Sequence, residues 1–203
     1  PAAKGTGAPM TAVDLQAHFE RRREHTRSAV ERRQEREKAA AVDAARWLGA
    51  DLVDGPIEFR NQYTVASKLT RVHALLRHLR DAKGFSFFVD QTALDTLTHD
   101  GNHPERFAVV WTLLNLEQET QLRVMAYVDE DDPICPTTSD IWPAANWPER
   151  EIWDMYGIQF TGHPNLIRLL CPEEFSGFPL RKDYPLRGRG ERDNFPVIKR
   201  DNE

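Results

Sequence analysis

The stretch Leu122-Arg123-Val124-Met125-Ala126-Tyr127-Val128 decides the fold class. Successive side chains of a strand point to opposite faces. Leu122, Val124, Ala126 and Val128 therefore share one face, with Arg123, Met125 and Tyr127 on the other, the pattern of a half-buried strand. Upstream, Arg106 to Leu114 reads as a second strand, and the polar link Glu117-Gln118-Glu119-Thr120 joins the two as a hairpin. Phe85 to Val89 reads as a further, buried strand. Before it, Leu69, Val72, Leu75, Leu76 and Leu79 recur with helical period, with Ser67 placed to cap the helix and Lys83-Gly84 to close it. Earlier still, Ile57, Phe59, Tyr63 and Val65 alternate around Arg60-Asn61-Gln62 as a short hairpin. The sequence thus predicts an α/β (α+β) domain over 49–157, a small mixed sheet packed with helices.

Both flanks differ in texture. Residues 1–10 are rich in Gly, Pro and Ala and are expected to be disordered. A charged helical extension is predicted over 11–48, with Thr11 as its N-cap and Asp14 completing an imperfect capping box. From Glu20 to Lys38 the only apolar residues are Ala29 and Val30, while opposite charges recur one turn apart, as in Arg27 and Glu31 or Arg33 and Glu37. That run reads as a solvated helix, a disordered charged stretch, or a docking arm. Ala39 to Trp47 returns to apolar spacing, with Gly49 as the stop. After Pro133 prolines punctuate the chain, and one short helix, Trp147 to Tyr156, is predicted, with Asn146 and Glu149 as a capping box and Gly157 beyond its end. Residues 158–203 read as an extended, proline-rich tail with few internal contacts. They carry Phe160, Leu166, Leu169, Leu170, Phe175, Phe178, Leu180 and Tyr184, too much apolar surface for a free tail, so the tail must lie against its own domain or a partner.

Composition narrows the function classes. A net charge of −5 over 203 residues argues against a general nucleic-acid binder. No stretch reaches the roughly 18 apolar residues of a membrane span, and no apolar leader opens the sequence. Cys135 and Cys171, the two cysteines, form no CxxC pair and suit a reducing compartment. No Gly-rich nucleotide loop, HExxH or iron–sulfur spacing is present, and Asp129-Glu130-Asp131-Asp132 lacks the spacing of a calcium loop. His99 and His103 bracket a loop and could pinch a metal, though a surface loop suits them better. On the short helix, Arg150, Glu151 and Asp154 share one face; Arg150 and Asp154, a turn apart, are expected to pair. Two nearby carboxylates could serve acid–base chemistry. Without a nucleophile beside them, an interface or structural salt-bridge set is the better reading. The strip Phe178-Pro179-Leu180-Arg181-Lys182-Asp183-Tyr184-Pro185-Leu186, held extended by its prolines, has the form of a recognition segment.

Three motifs in order carry a resemblance: Glu149-Arg150-Glu151-Ile152-Trp153-Asp154-Met155-Tyr156-Gly157-Ile158-Gln159-Phe160, then Gly162-His163-Pro164-Asn165-Leu166-Ile167-Arg168, then Pro179 to Leu186. Pro104 to Val110 adds a fourth. Together they resemble the 30-kDa subunit of respiratory complex I, the proton-translocating NADH:quinone oxidoreductase, over about residues 50–187. The resemblance implies a peripheral-arm scaffold that packs on the 49-kDa-type subunit, on the cytoplasmic face of the membrane. It implies no catalytic, cofactor or metal residues in this chain; FMN, iron–sulfur clusters and quinone would sit on partner subunits. The implied partner-interface residues are Glu149, Arg150, Glu151, Asp154, Gly157, His163, Pro164, Arg168, Pro179, Leu180, Arg181, Lys182, Asp183, Tyr184 and Pro185. Phe178 departs from the family, which commonly has histidine there, and Thr161 replaces a commonly acidic residue. Three other functions compete. One is the equivalent subunit of a membrane-bound [NiFe] hydrogenase or ferredoxin-using relative. Another is a metal-dependent hydrolase using Glu149, Glu151, Asp154 and His163. The third is an RNA-binding protein using the arginine-rich helix.

Overall fold

The computed structural model describes residues 12–101 and 103–190. The disorder expected over 1–10, the Thr11 cap and the end of the tail beyond residue 190 lie outside these. A single helix, α1, runs from Ala12 to Leu48 and ends in a turn at Gly49–Asp51. Strands β1 (Leu52–Phe59) and β2 (Gln62–Ser67) follow, then helix α2 (Leu69–Lys83). Strands β3 (Phe87–Asp95), β4 (Phe107–Asn115) and β5 (Thr120–Val128) come next. Last are β6 (Ile134–Pro136), helix α3 (Asn146–Tyr156) and β7 (Gln159–Thr161).

The first five strands form a mixed sheet in the order β1-β2-β5-β4-β3; β2 and β5 are parallel and the other pairs antiparallel. The register places Phe107 opposite Val128, Val109 opposite Ala126, Trp111 opposite Val124 and Leu113 opposite Leu122. Leu122, Val124, Ala126 and Val128 are the residues the alternation assigned to one face, and they and their four β4 partners are all fully buried. That face is covered by α1, α2 and α3. Val72, Leu75, Leu76 and Leu79 supply the buried stripe of α2. Burying a Leu or Val side chain contributes about 1.5–3 kcal/mol, so this one layer of contacts is the domain's main source of stability. The opposite face, with Arg123, Met125 and Tyr127, stays half-exposed.

Several local readings hold. Gly84 and Gly157 close their helices in the left-handed conformation, at φ 74 and 80. Arg60 and Asn61 both have positive φ, the turn that matches hairpin twist. The charged run of α1 is helical throughout, and its domain end buries Ala41, Ala44 and Leu48. Other readings are corrected. The cap of α2 is Lys68, without a side-chain bond, because Ser67 still belongs to β2, paired with Leu52 and Ala126. The third strand starts later and ends later than Phe85–Val89. Phe85 is buried ahead of it, a register irregularity falls between Phe88 and Asp90, and Phe87 and Val89 are exposed. The short helix has no capping box: Asn146 is already helical and Glu149 is turned into the core.

Candidate functional site

The tail from Gly162 to Gly190 contains no helix or strand, yet it is a strap fastened to its own domain rather than an extended arm. The expected scarcity of internal contacts is corrected by two charged clasps. The first is Asp154, in the last turn of α3. An acid at a helix C-terminus opposes the helix dipole, and this one is fully buried as well. It is stabilised by the strap. Arg168 donates to Oδ1 at 2.5 Å, while the backbone N–H groups of Leu169, Leu170 and Cys171 donate to Oδ2 at 3.1, 2.7 and 2.8 Å. Burial works against the charge, but these donors outweigh it and hold the Asp154 pKa below the usual carboxylate value. Arg168 also lies over the rings of Trp153, Phe175 and Phe178, at 5.6, 5.6 and 5.7 Å.

The second clasp is Arg106, at the entry to β4. Its side chain is 7% exposed, and its guanidinium pairs with Asp95 and Asp183, each at 2.8 Å, and with Glu130. Asp95 also accepts the N–H of Lys182 at 2.8 Å. Burial again opposes the Asp95 charge and is outweighed by Arg106 and two backbone N–H groups, so its pKa is lowered. Arg181 bridges the two clasps. It donates to Tyr156 O at 2.6 Å and lies over Phe107 and Phe178 at 5.0 and 4.6 Å. Phe178 thus has both Arg168 and Arg181 against its ring. Its ring lies 2.7 Å from where a Cβ on Gly157 would be, so the two positions depend on each other. The Phe178–Leu186 strip is a run of turns, with Arg181 N bonded to Phe178 O and Tyr184 N to Arg181 O, which corrects the extended course read from its prolines.

A third cluster ties α3 inward. Glu149, fully buried, accepts from Thr137 Oγ1 at 2.5 Å, Thr138 N at 2.6 Å and Thr138 Oγ1 at 2.8 Å. Thr138 in turn touches Gln91 and accepts from the Trp111 indole. Burial raises the Glu149 pKa; the threonine bonds and nearby His163 offset it in part. His163 Nε2 lies within hydrogen-bond distance of Asn146 O, and the Asn165 N–H meets its Nδ1.

The predicted interface residues are therefore sorted by the structure. Glu149 and Asp154 are internal and leave the surface set; Gly157 is buried beneath Phe178. Arg150 does not pair with Asp154, whose carboxylate is taken by the strap; it donates instead to Ile167 O and Arg168 O, each at 3.1 Å, and lies over Trp147. Arg168 and Arg181 point inward as fasteners. Glu151, Pro164, Leu180, Lys182, Asp183 and Pro185 remain exposed, with Pro179 and Tyr184 partly so. Sequence reasoning missed Asp95, Arg106, Glu130 and Thr138. Nothing local marks them, since the Arg106–Asp183 and Asp95–Lys182 contacts span 77 and 87 residues. Beside the predicted residues, the outer side of the strap and α3 exposes Trp147, Ile167, Leu170, Leu180 and Leu186. The Asp154 and Arg106 clasps turn satisfied polar groups inward, while several apolar side chains stay uncovered alongside the exposed Glu151 and Lys182. Among the described residues no helix is long and apolar enough to cross a membrane, and no group of three or more acidic, His or Cys side chains could hold a metal.

A family model described as the 30 Kd subunit of respiratory-chain NADH dehydrogenase matches residues 65–190, from β2 to the end of the described strap. The chain belongs to this family. An NADH-quinone oxidoreductase subunit of Rhizobium meliloti is 41% identical over 157 residues, covering 76% of this chain and 72% of that protein. NADH-quinone oxidoreductase subunit 5 of Thermus thermophilus is 48% identical over 110 residues, covering 52% of this chain and 53% of that protein. The chain thus matches about half the length of the Thermus relative. A solved structure described as the trypsin-resistant fragment (1-134) of Nqo5 superposes with a TM-score of 0.55 at 36% identity, covering 62% of this chain and 96% of that one. The match begins at residue 65, so it leaves out α1.

Proposed function

We propose that this chain is a non-catalytic scaffold subunit of a proton-translocating NADH:quinone oxidoreductase. In this reading it sits in the peripheral arm against the 49-kDa-type subunit, on the cytoplasmic face of the membrane. FMN, iron–sulfur clusters and quinone belong to neighbouring subunits. Its task is to hold those neighbours in register while electrons pass from NADH to quinone. The observation that carries the reading is the two-sided strap. Asp154, Arg168, Arg106 and Arg181 fix its inner side to the domain, while Leu170, Leu180 and Leu186 are left facing outward at 64%, 49% and 105% exposure. Apolar side chains carried on a strap already fastened to its own domain lower the ordering cost of docking.

The test is a pull-down of the tagged chain from native membranes in mild detergent. Flavin and iron–sulfur subunits should co-elute; recovery with nickel-containing subunits would reassign the machine, and recovery alone would overturn the reading. Leu170→Asp with Leu180→Asp should leave the melting temperature of the isolated chain within a few degrees while sharply lowering co-elution. Unchanged assembly of that variant would mean that another face does the docking.

A further inference from the structure

The first part of α1 has no place in the scaffold reading and lies outside the family match. From Gln16 to Arg36 every described side chain is exposed except Ser28 and Gln34. At 1.5 Å per residue this segment is an arm about 30 Å long. It holds seven arginines, no lysine and four glutamates. The charges are segregated around the helix. At about 100° per residue, Glu20, Glu24, Glu31 and Glu35 fall within an arc of about 60°. Arg21, Arg22, Arg32, Arg33 and Arg36, with His18 and His25 among them, fall within a separate arc of about 120°. Arg23 and Arg27 stand outside the cationic arc; Arg27 is paired with Glu31, and within the arc Arg33 is paired with Glu37 at 2.8 Å. Among the described residues Arg21, Arg22 and Arg36 make no ion pair, and Arg32 bonds only the Ser28 hydroxyl.

We infer that this arm is a docking face for a planar anionic phospholipid surface. Guanidinium groups match phosphate oxyanions with paired donors, which suits an arginine-only face. The one-sidedness selects a plane. A helix lying on headgroups turns its glutamate arc to solvent, whereas a helix sunk in a nucleic-acid groove would set the same glutamates against phosphates. The arm carries too few apolar residues to insert: Phe19 and Val30, about half-exposed, lie beside the cationic arc. Attachment is therefore electrostatic, reversible and salt-sensitive. Pairing with a second copy does not explain the face, because two-fold pairing brings like faces together and would oppose arginine to arginine. The inference is independent of the scaffold reading and stands or falls without the other subunits.

The experiment uses the full chain and vesicles of phosphatidylcholine with about 30% phosphatidylglycerol, read by flotation, against pure phosphatidylcholine and an RNA of equal phosphate concentration. Binding to the anionic vesicles is expected at low salt and should be lost in high salt. Each of Arg21→Gln, Arg22→Gln, Arg32→Gln and Arg36→Gln should weaken it roughly fivefold, and the four together at least about a hundredfold. Glutamine is a good helix former, so circular dichroism should show the arm intact. If the fourfold variant nevertheless lost helix, the single variants carry the test. Glu20→Gln with Glu24→Gln, Glu31→Gln and Glu35→Gln should bind at least as well as the parent. Equal binding to pure phosphatidylcholine, undiminished binding of the arginine variants, or a preference for RNA would each overturn the inference.

Discussion

Asp154→Asn should release the strap without unfolding the sheet. The carboxylate is fully buried and serves donors on both oxygens: Arg168 on one, and the N–H groups of Leu169, Leu170 and Cys171 on the other. An amide offers one acceptor. If its NH2 turns toward the strap backbone, three N–H donors face a donor. If it turns the other way, Arg168, 11% exposed, loses its counter-charge. Removing one partner of a buried ion pair costs about 3–5 kcal/mol, and leaving a buried donor unpaired costs about 1–3 kcal/mol. The strap can avoid this penalty by leaving its seat, so the effect appears as strap opening, by a factor of about 100 or more at 1.4 kcal/mol per decade. Limited trypsinolysis followed by mass spectrometry reads this opening, because cleavage tracks the open population when reclosing is fast. Cutting after Arg168 should accelerate about a hundredfold, while cutting at the exposed arm arginines Arg21 and Arg22 serves as an unchanged internal standard. A change of less than about threefold after Arg168, against a constant arm, would refute the clasp. The sign with pH follows from the lowered Asp154 pKa. Its contribution is complete above the unfolded value of about 3.9 and is lost as pH falls through the lower folded value. Exchange of the Leu169–Cys171 amides should therefore lose protection only in acid, and in Asp154→Asn that acid step should vanish.

Glu149 should behave in the opposite sense. Its pKa is raised by burial, so its charged form costs stability at neutral pH, and the cost disappears as pH falls through the raised folded value toward the ordinary value of about 4.3. Glu149→Gln should therefore melt at or above the parent temperature at pH 7 and flatten the pH dependence of stability in that window. Glu149→Ala, which orphans Thr137 and Thr138, should lose about 2–4 kcal/mol by denaturant titration. If Gln proves as damaging as Ala, the charge itself is needed. Gly157→Ala combines a left-handed φ of 80 with a Cβ placed 2.7 Å from the Phe178 ring and 2.8 Å from Arg181 Nη2. It should cost at least about 1–2 kcal/mol and displace Phe178. An unchanged melting temperature would refute the packing argument.

The legible parts of this fold were those written in short-range periodicity. Leu122 to Val128 showed its face through a period of two, the α2 stripe through a period of 3.6, and Gly84 and Gly157 marked helix ends through a conformation that other residues resist. The illegible parts depend on partners brought near only by the finished sheet. Glu149 looks like a capping residue because Asn146 stands three places before it, yet Thr137 and Thr138 draw it inward. Asp154 looks like the mate of Arg150 one turn away, while its actual donors lie 14 to 17 residues on, in a loop with no period. Phe87 and Val89 look like core because they are apolar, but the irregularity beside Asp90 leaves both exposed. The strap's apolar content signalled that something must cover it, and no pattern in the strap itself could say that its own α3 and β4 take one side.

Strand β2 is hydrogen-bonded to β5 although β3 and β4 are made between them. On the ribosome the β1–β2 hairpin therefore emerges with one bare backbone edge and waits some sixty residues for its parallel neighbour. At about 5–20 residues per second that wait lasts several seconds, long enough for a neighbouring nascent chain to be captured instead. Slow codons between Lys68 and Glu119 would lengthen this vulnerable interval, so recoding that segment for fast decoding is the change best placed to raise soluble yield.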